Sequence, residues 1–484
     1  MFSNVRRILR QLLAYGTADV MVLAVNFLLL PIYTRVLSPQ DYGALALLLV
    51  CEAVVKIVYR WGLDSGFLRL YYDYPDDAQR KTLAGTITVF LAVVDGSLTL
   101  LLLATAVPVN MLIFGTENFA GAYRLLVLNM FASTFLFLPL NLLRIQERST
   151  LFSSITFLRS FGTVLIRVLL VVGLGFGVFG IFLADLVVTG ALMVALGGTF
   201  RRMLARRFSM AILRDLLAFG MPQVPFGLLN QAMSMADRFI LGLYMPLRAV
   251  GLYLIGTTIA GVIKFYPVAF EAAWMPFAYD SLKRDDAAPL FARLGTYAFA
   301  VLALFTVALA GLAPPLVRLA LPPEYHQVAP LIPILTLAMA VQALSWFMVT
   351  SLNVAKQTRV YPVVTAIGAA ASVATNLLLI PSLGMFGAAL ALLLSQTLTS
   401  AVTLYFAQRA YPIPYELGRL SKAGGIAALI YGAMTLVASA SPWQSLVVRT
   451  ALLTLFPLGL LLLRFFHPRE IGELRRLMES RIPA

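Results

Sequence analysis

The sequence predicts an all-α polytopic membrane protein of about 14 transmembrane helices, arranged as two pseudo-symmetric six-helix lobes plus two extra helices. Three observations predict it: a composition too apolar for water, basic residues confined to alternate connections, and a repeat of one part of the chain in another. Of the 484 residues, 60% are hydrophobic and 12% charged, and the mean hydropathy is +0.88. Soluble chains carry about 25% charged residues. A chain this apolar cannot cover a wetted surface and must be solvated by lipid. The formal charge of +15 would point to nucleic acid in a soluble protein. Here Lys and Arg sit in short loops between apolar runs, which assigns them to topology and argues against a nucleic-acid partner. The one cysteine, Cys51, lies inside an apolar run, so neither an internal disulfide nor a thiolate metal site is expected.

A helix needs about 20 mostly apolar residues to cross the hydrocarbon core. On that measure, spans fall near 11–35, 42–67, 82–109, 119–143, 151–174, 177–198, 215–244, 250–279, 291–318, 327–352, 359–381, 384–408, 419–440 and 444–466. Several contain proline (Pro31, Pro139, Pro222, Pro225 and Pro267), which membrane helices tolerate because neighbouring groups satisfy the freed backbone. Residues 1–10 are basic, and the apolar run after them is as long as a full span and holds Asp19, with no small-residue cleavage site. The N-terminus therefore reads as retained and cytoplasmic. From that start, the inner connections carry Arg80 and Lys81, Arg144 and Arg148, Arg201 to Arg207, Lys283 and Arg284, Lys356 and Arg359, then Arg419 and Lys422. The outer connections GLGFGVFG, PSLGMFG and ASASPWQ carry none. Such alternation is the positive-inside pattern. It predicts a multi-pass protein of the bacterial inner membrane with both termini cytoplasmic. The basic loop 199–214 reads as an anchor at anionic lipid head groups.

The segment SPQDYGALALLL at 38–49 matches MPLRAVGLYLIG at 245–256, which pairs Gly43 with Gly251 at an offset of 208. Separately, GFGVFGIFLADL at 175–186 matches SLGMFGAALALL at 382–393, which pairs Gly180 with Gly387 at an offset of 207. A repeat of six helices keeps both copies in one orientation, related by an axis along the membrane normal. The expected lobes are 1–200 (helices 1 to 6) and 201–412 (helices 7 to 12). Two additional helices at 413–466 and a cytoplasmic tail at 467–484 follow.

Ionisable residues inside a span cost about 2.5–3.5 kcal/mol each on insertion scales and mark functional or paired positions. Glu52, Lys56, Arg60 and Asp64 fall four apart on one helical face, with Glu52 and Lys56 in the favourable order for an ion pair. Thr257, Lys264 and Glu271 recur every seven residues, and Arg159, Thr163 and Arg167 share a face. Asp237 and Arg238 stand together, with Asn230 and Ser234 a turn or two away. Asp19, Asp95 and Asp185 are single acids in three spans. Each of these groups could instead be an ion pair that locks helices together; Lys264 and Arg60 are the bases best placed to face a cavity. Acids in spans also serve as coupling-ion sites.

The sequence holds no phosphate-binding GxxxxGK[ST] loop, no HExxH, and only His326 and His467 as histidines. No outer loop is long enough for a catalytic domain. The sequence assigns no catalytic residue, metal or cofactor, and does not read as an enzyme.

PIYTRVLSPQDYGALALL at 31–48, YRWGLDSGFLRLYYDY at 59–74, ADRFILGLYMPLRAVGLY at 236–253 and FYPVAFEAAWMPFAY at 265–279 resemble the polysaccharide-transport (Wzx-like) flippases. Those share a superfamily with the MurJ lipid II flippases and the MATE exporters. The resemblance implies two six-helix lobes around a central cavity. It also implies alternating access that moves an undecaprenyl-pyrophosphate-linked oligosaccharide from the inner to the outer leaflet. Membrane lipids, a polysaccharide polymerase and glycosyltransferases are the partners it suggests. A diphosphate needs Lys or Arg, for which Lys264 and Arg60 lead, followed by Arg159, Lys56 and Arg238. Trp61, Tyr253, Asn230 and Gln342 offer faces and amides to sugar. Asp19, Glu52, Asp64, Asp237 and Glu271 would order the bases or bind a coupling ion. A MATE-like exporter of organic cations is the alternative.

Overall fold

The computed structural model describes residues 27, 29–74, 76–204, 207–282, 286–437 and 441–466, apart from a few side chains, that of Glu271 among them. Every regular element among the described residues is helical. Helix α1 (Pro39–Arg60) opens on a capping box: Ser38 Oγ accepts from the Asp41 amide, and Asp41 Oδ2 accepts from the Ser38 amide at 2.9 Å. Pro39 at the first position needs no donor. The helix breaks at Trp61, which is left-handed with φ 48°, and resumes as α2 (Leu63–Asp73). Then come α3 (Asp77–Ala104), α4 (Ala106–Phe114), α5 (Ala120–Ile145) and α6 (Ser149–Val168), which runs into a π turn at Leu169–Gly173. After α7 (Gly177–Met203), α8 (Met210–Gly220) and α9 (Gln223–Tyr244) are separated by Pro222, which cannot donate to a helical ladder. Next are α10 (Leu247–Ala260), a 3₁₀ turn at Gly261–Lys264, and α11 (Phe265–Ser281). The chain ends with α12 (Ala287–Ala320), α13 (Ile332–Val354), α14 (Val360–Ala410), α15 (Leu417–Thr435), α16 (Pro442–Leu453) and α17 (Leu455–Leu462).

Ten helices among the described residues are long and apolar enough to cross a bilayer, fewer than the expected count of 14. Of the four missing, the expected 419–440 is the 19-residue α15, which is not among the ten, and the other three have local reasons. The first expected span lies mostly outside the described residues. The seventh is divided at Pro222 into α8 and α9. The expected pair 359–381 and 384–408 is the single 51-residue element α14, interrupted at Gly384 (φ 56°, ψ −129°). Large apolar side chains face outward along these helices: Leu100 is 70% exposed, Leu378 74% and Val194 84%. Only a lipid solvent makes that arrangement stable, and the chain is a multi-pass membrane protein.

The helices form two compact units, Met1–Ile255 with Thr365–Ser395, and Gly256–Val364 with Gln396–Ala484. In the first, Leu63 and Phe67 of α2 pack with Leu83 and Ile87 of α3, Leu138 of α5 and Leu216 of α8. In the second, Val307 of α12 packs with Ile426 and Met434 of α15 and Phe456 and Leu460 of α17.

The repeat is visible as contact within the first unit. The start of α1 lies on the start of α10: a Cβ on Gly43 would meet the Leu247 carbonyl oxygen at 1.9 Å, and one on Gly251 would meet the Pro39 carbonyl oxygen at 1.9 Å. Pro39 and Leu247 share the offset of 208 that pairs Gly43 with Gly251. The two close approaches are therefore one contact seen from each copy. The second match holds in the backbone too. Gly177 (φ 53°) and Gly384 (φ 56°) occupy the left-handed region at the offset of 207, each at the turn between two helices.

Candidate functional site: a charged cavity inside the first unit

The four-residue spacing on α1 puts Glu52, Lys56 and Arg60 on one wall of a cavity of about 550 Å³. The break at Trp61 does not carry Asp64 away from them: Arg60 Nη1 donates to Asp64 Oδ2 at 3.1 Å. The facing wall is α6, where Thr156, Arg159, Ser160, Thr163 and Arg167 recur at three- and four-residue steps. Helix α5 adds Asn129, Ser133, Asn141 and Arg144, and α7 adds Asp185 and Thr189. Among the described residues the lining thus holds five bases, three acids and a set of amides and hydroxyls.

The pairing within it decides which charges are committed. Arg167 grips Asp185 through two bonds, Nε to Oδ1 at 2.9 Å and Nη2 to Oδ2 at 2.7 Å. This is the bidentate geometry in which a guanidinium and a carboxylate satisfy each other. Arg60 is held by Asp64. Arg144 lies over the Phe152 ring, 4.6 Å from its centroid. Among the described residues, neither Lys56 nor Arg159 has a carboxylate within 4.0 Å, and Glu52 has no base so near. The ion pair expected between Glu52 and Lys56 is therefore not made, and Arg60 with Asp64 is the pair that forms on this stripe. The cavity keeps two bases on opposite walls with no acid bound to them among the described residues.

Other expected site residues lie elsewhere. Trp61 is absent from the lining; its indole Nε1 donates to Asp95 Oδ1 at 3.0 Å and its ring meets Phe90 edge-on. Asp237 is 4% exposed and accepts from the Tyr253 hydroxyl at 2.6 Å and from the Arg238 amide at 2.8 Å. Tyr253 is fully buried, so its hydroxyl serves Asp237 rather than a sugar. Asn230 is exposed on α9, where its carbonyl accepts from Ser234. Lys264 is exposed at the end of the 3₁₀ turn in the second unit, whereas Thr257 is 5% exposed. A 3₁₀ turn winds at 3.0 residues per turn, so the seven-residue spacing does not keep Thr257 and Lys264 in one environment. Asp19 and the Glu271 side chain lie outside the described residues.

Sequence reading missed the polar side of α5. Asn129 is 5% exposed, and its side-chain oxygen has no partner among the described residues. Amides inside an apolar span were the signal, overlooked because carboxylates and bases stand out more. The second unit holds a cavity of about 270 Å³ walled by Tyr266, Phe270, Trp274, Trp346 and Phe347, with no charged side chain among the described residues of its lining. Trp274, from the motif noted in the sequence, is buried there and donates to Thr350 Oγ1 at 2.8 Å.

The sequence model of the family described as polysaccharide biosynthesis protein matches residues 32–277, more than half of the chain. No curated protein matches it. Among solved structures, lipid II flippase MurJ in an inward closed conformation is similar at 12% identity, covering 92% of this chain and 97% of that one with a TM-score of 0.65. A multidrug resistance MATE family transporter of the MOP superfamily, inward-facing, is similar at 14% identity, covering 83% and 96% with a TM-score of 0.62. A MOP superfamily transporter from Pyrococcus furiosus, described as having a binding pocket of reverse polarity, is similar at 15% identity, covering 86% and 96% with a TM-score of 0.52. At these identities the likeness is one of fold. With that fold and the match over residues 32–277, the chain belongs to the polysaccharide biosynthesis protein family and is built as MurJ and the MATE transporters are.

Proposed function

We propose that the chain is a flippase. It moves an undecaprenyl-pyrophosphate-linked oligosaccharide from the inner to the outer leaflet of the bacterial cytoplasmic membrane, by alternating access, for surface polysaccharide synthesis. The observation that carries this reading is the pair of uncommitted bases, Lys56 and Arg159, in a polar cavity walled by membrane helices. A diphosphate is the part of such a lipid that cannot enter hydrocarbon, and charge-assisted bonds to Lys and Arg replace its hydration. The amides and hydroxyls of α5, α6 and α7 suit sugar hydroxyls, which both donate and accept. Arg60, Arg238 and Lys264 are further candidate bases for the head group, with Asp19, Glu52, Asp64, Asp237 and Glu271 as candidates to order them or couple an ion. The lobes are 1–200 and 201–412, and both termini are cytoplasmic. No covalent step is needed, so the protein is not an enzyme. Membrane lipids surround it, and a polymerase and glycosyltransferases would use or supply its cargo.

The second reading, an exporter of organic cations, shares the fold. It fits less well because the cavity lining holds five bases to three acids, which repels a cation. The experiment is reconstitution in liposomes with a fluorescent undecaprenyl-pyrophosphate-linked sugar and, separately, a cationic dye. Lys56→Gln and Arg159→Gln should each slow sugar-lipid transfer about 10- to 100-fold, the equivalent of one charged hydrogen bond of about 1.5–3 kcal/mol. Transfer of the dye with none of the lipid would overturn the flippase reading.

A further inference from the structure

We propose that an apolar slot between α1 and α9 receives the hydrocarbon chain of the same lipid whose head group enters the charged cavity. The inference rests on the flippase reading and names where the tail goes. The slot has a volume of about 600 Å³ and is walled by Cys51 and Val54 of α1, Leu228 and Phe239 of α9, and Leu377 of α14. Among the described residues of its lining, Gln231 is the one amide side chain and none is charged.

Helix α1 divides the slot from the charged cavity. Val50 and Val54 are four apart on one side, and Glu52 and Lys56 are four apart on the other; two residues of helix rotate the chain by about 200°, so the two pairs face opposite ways. Both spaces border a third. This third cavity, of about 470 Å³, is walled by Glu52, Lys56 and Arg60, which it shares with the charged cavity, and by Gln231 and Met235, which it shares with the slot. Polarity therefore falls from charged to hydrocarbon through three neighbouring spaces around a single helix.

A prenyl chain gains little by leaving lipid for such a slot, because bilayer tails are as apolar as the slot's own walls. What selects it is covalent linkage. Once the diphosphate is on Lys56, the chain attached to it is held at an effective concentration in the millimolar range beside the opening. A bulk phospholipid tail has no such tether. The unbranched side chain of Met235 stands at the junction and can repack around a passing chain.

Cys51, the one cysteine of the chain, is a built-in reporter on the slot wall. The experiment follows its alkylation by N-ethylmaleimide in phosphatidylcholine nanodiscs. Undecaprenyl-pyrophosphoryl-N-acetylglucosamine at ten times its measured Kd should slow alkylation about tenfold, the factor by which free sites fall. The water-soluble UDP-N-acetylglucosamine, which has the diphosphate and sugar without the chain, and added phosphatidylglycerol should leave the rate unchanged. Val54→Cys in a Cys51→Ser background repeats the measurement from a second position. Binding of the undecaprenyl lipid without protection at either position overturns the slot and leaves the flippase reading standing. Equal protection by phosphatidylglycerol or by UDP-N-acetylglucosamine also overturns it. No binding of the undecaprenyl lipid at all overturns both.

Discussion

Arg167 and Asp185 are held to each other through two bonds inside the membrane region, with side chains 29% and 15% exposed. A pair in that setting stabilises the helix contact only while both members remain, because removing one leaves the other charge part-buried without its partner. Arg167→Met is expected to lower stability by about 3 kcal/mol, while Arg167→Met with Asp185→Leu recovers most of it. Thermal melts of the purified protein check this, and a double variant as unstable as the single one would remove the structural role. Lys56 and Arg159 behave differently: with no acid left behind, their replacement by Gln changes the melting temperature little and is felt in transport. The sequence already placed Arg159, Thr163 and Arg167 on one face. Which of the two arginines was committed was not legible, because the deciding carboxylate is on another helix, 18 residues away. Trp61 carries the same lesson. As an aromatic beside Arg60 it suited a sugar, yet its indole is used by the buried Asp95.

At the scale of an element, the contact of α1 with α10 is the strictest requirement in the first unit. The two helix starts touch backbone to backbone, and the atoms that a Cβ on Gly251 would strike are the Pro39 carbonyl oxygen and the Gly43 amide. Backbone cannot swing aside as a long side chain can, so Gly251→Ala must push the helices apart. It is expected to lower the melting temperature sharply or prevent recovery of folded protein. Gly190→Ala on α7, where nothing lies within 4 Å of the added carbon, should be neutral or stabilising by about 0.5–1 kcal/mol, the usual gain of Ala over Gly in a helix. Equal melts for the two variants would mean that the helix starts do not depend on this approach. The repeat was legible because its matches contained the glycines that the contact and the turns require. The break at Trp61 and the 3₁₀ turn before Phe265 were not, since hydropathy registers an apolar run and is blind to how tightly it winds.

For the whole molecule, the number of crossings follows from length and charge together. A straight helix of 51 residues would be about 76 Å long, against a hydrocarbon core of about 30 Å. Element α14 therefore cannot be one crossing, and the non-helical backbone at Gly384 marks where it turns back. The loop charges say on which side. Arg359 precedes α14 and Arg409 lies in its last turn, whereas the residues around Gly384 carry no Lys or Arg. The positive-inside pattern then predicts both ends of α14 on the cytoplasmic side and the turn outside. The π turn and Gly177 between α6 and α7 occupy the same place in the other copy, with Arg201 and Arg202 at the far end of α7. In a Cys51→Ser background, Leu383→Cys and Phe176→Cys should react with a membrane-impermeant maleimide added outside intact cells. Arg359→Cys and Arg202→Cys should react only after the membrane is opened. Labelling of Arg359→Cys and Leu383→Cys from the same side would mean that the stretch between them does not cross the membrane. The six-helix repeat, which needs two crossings there to keep its copies in one orientation, would fall with it.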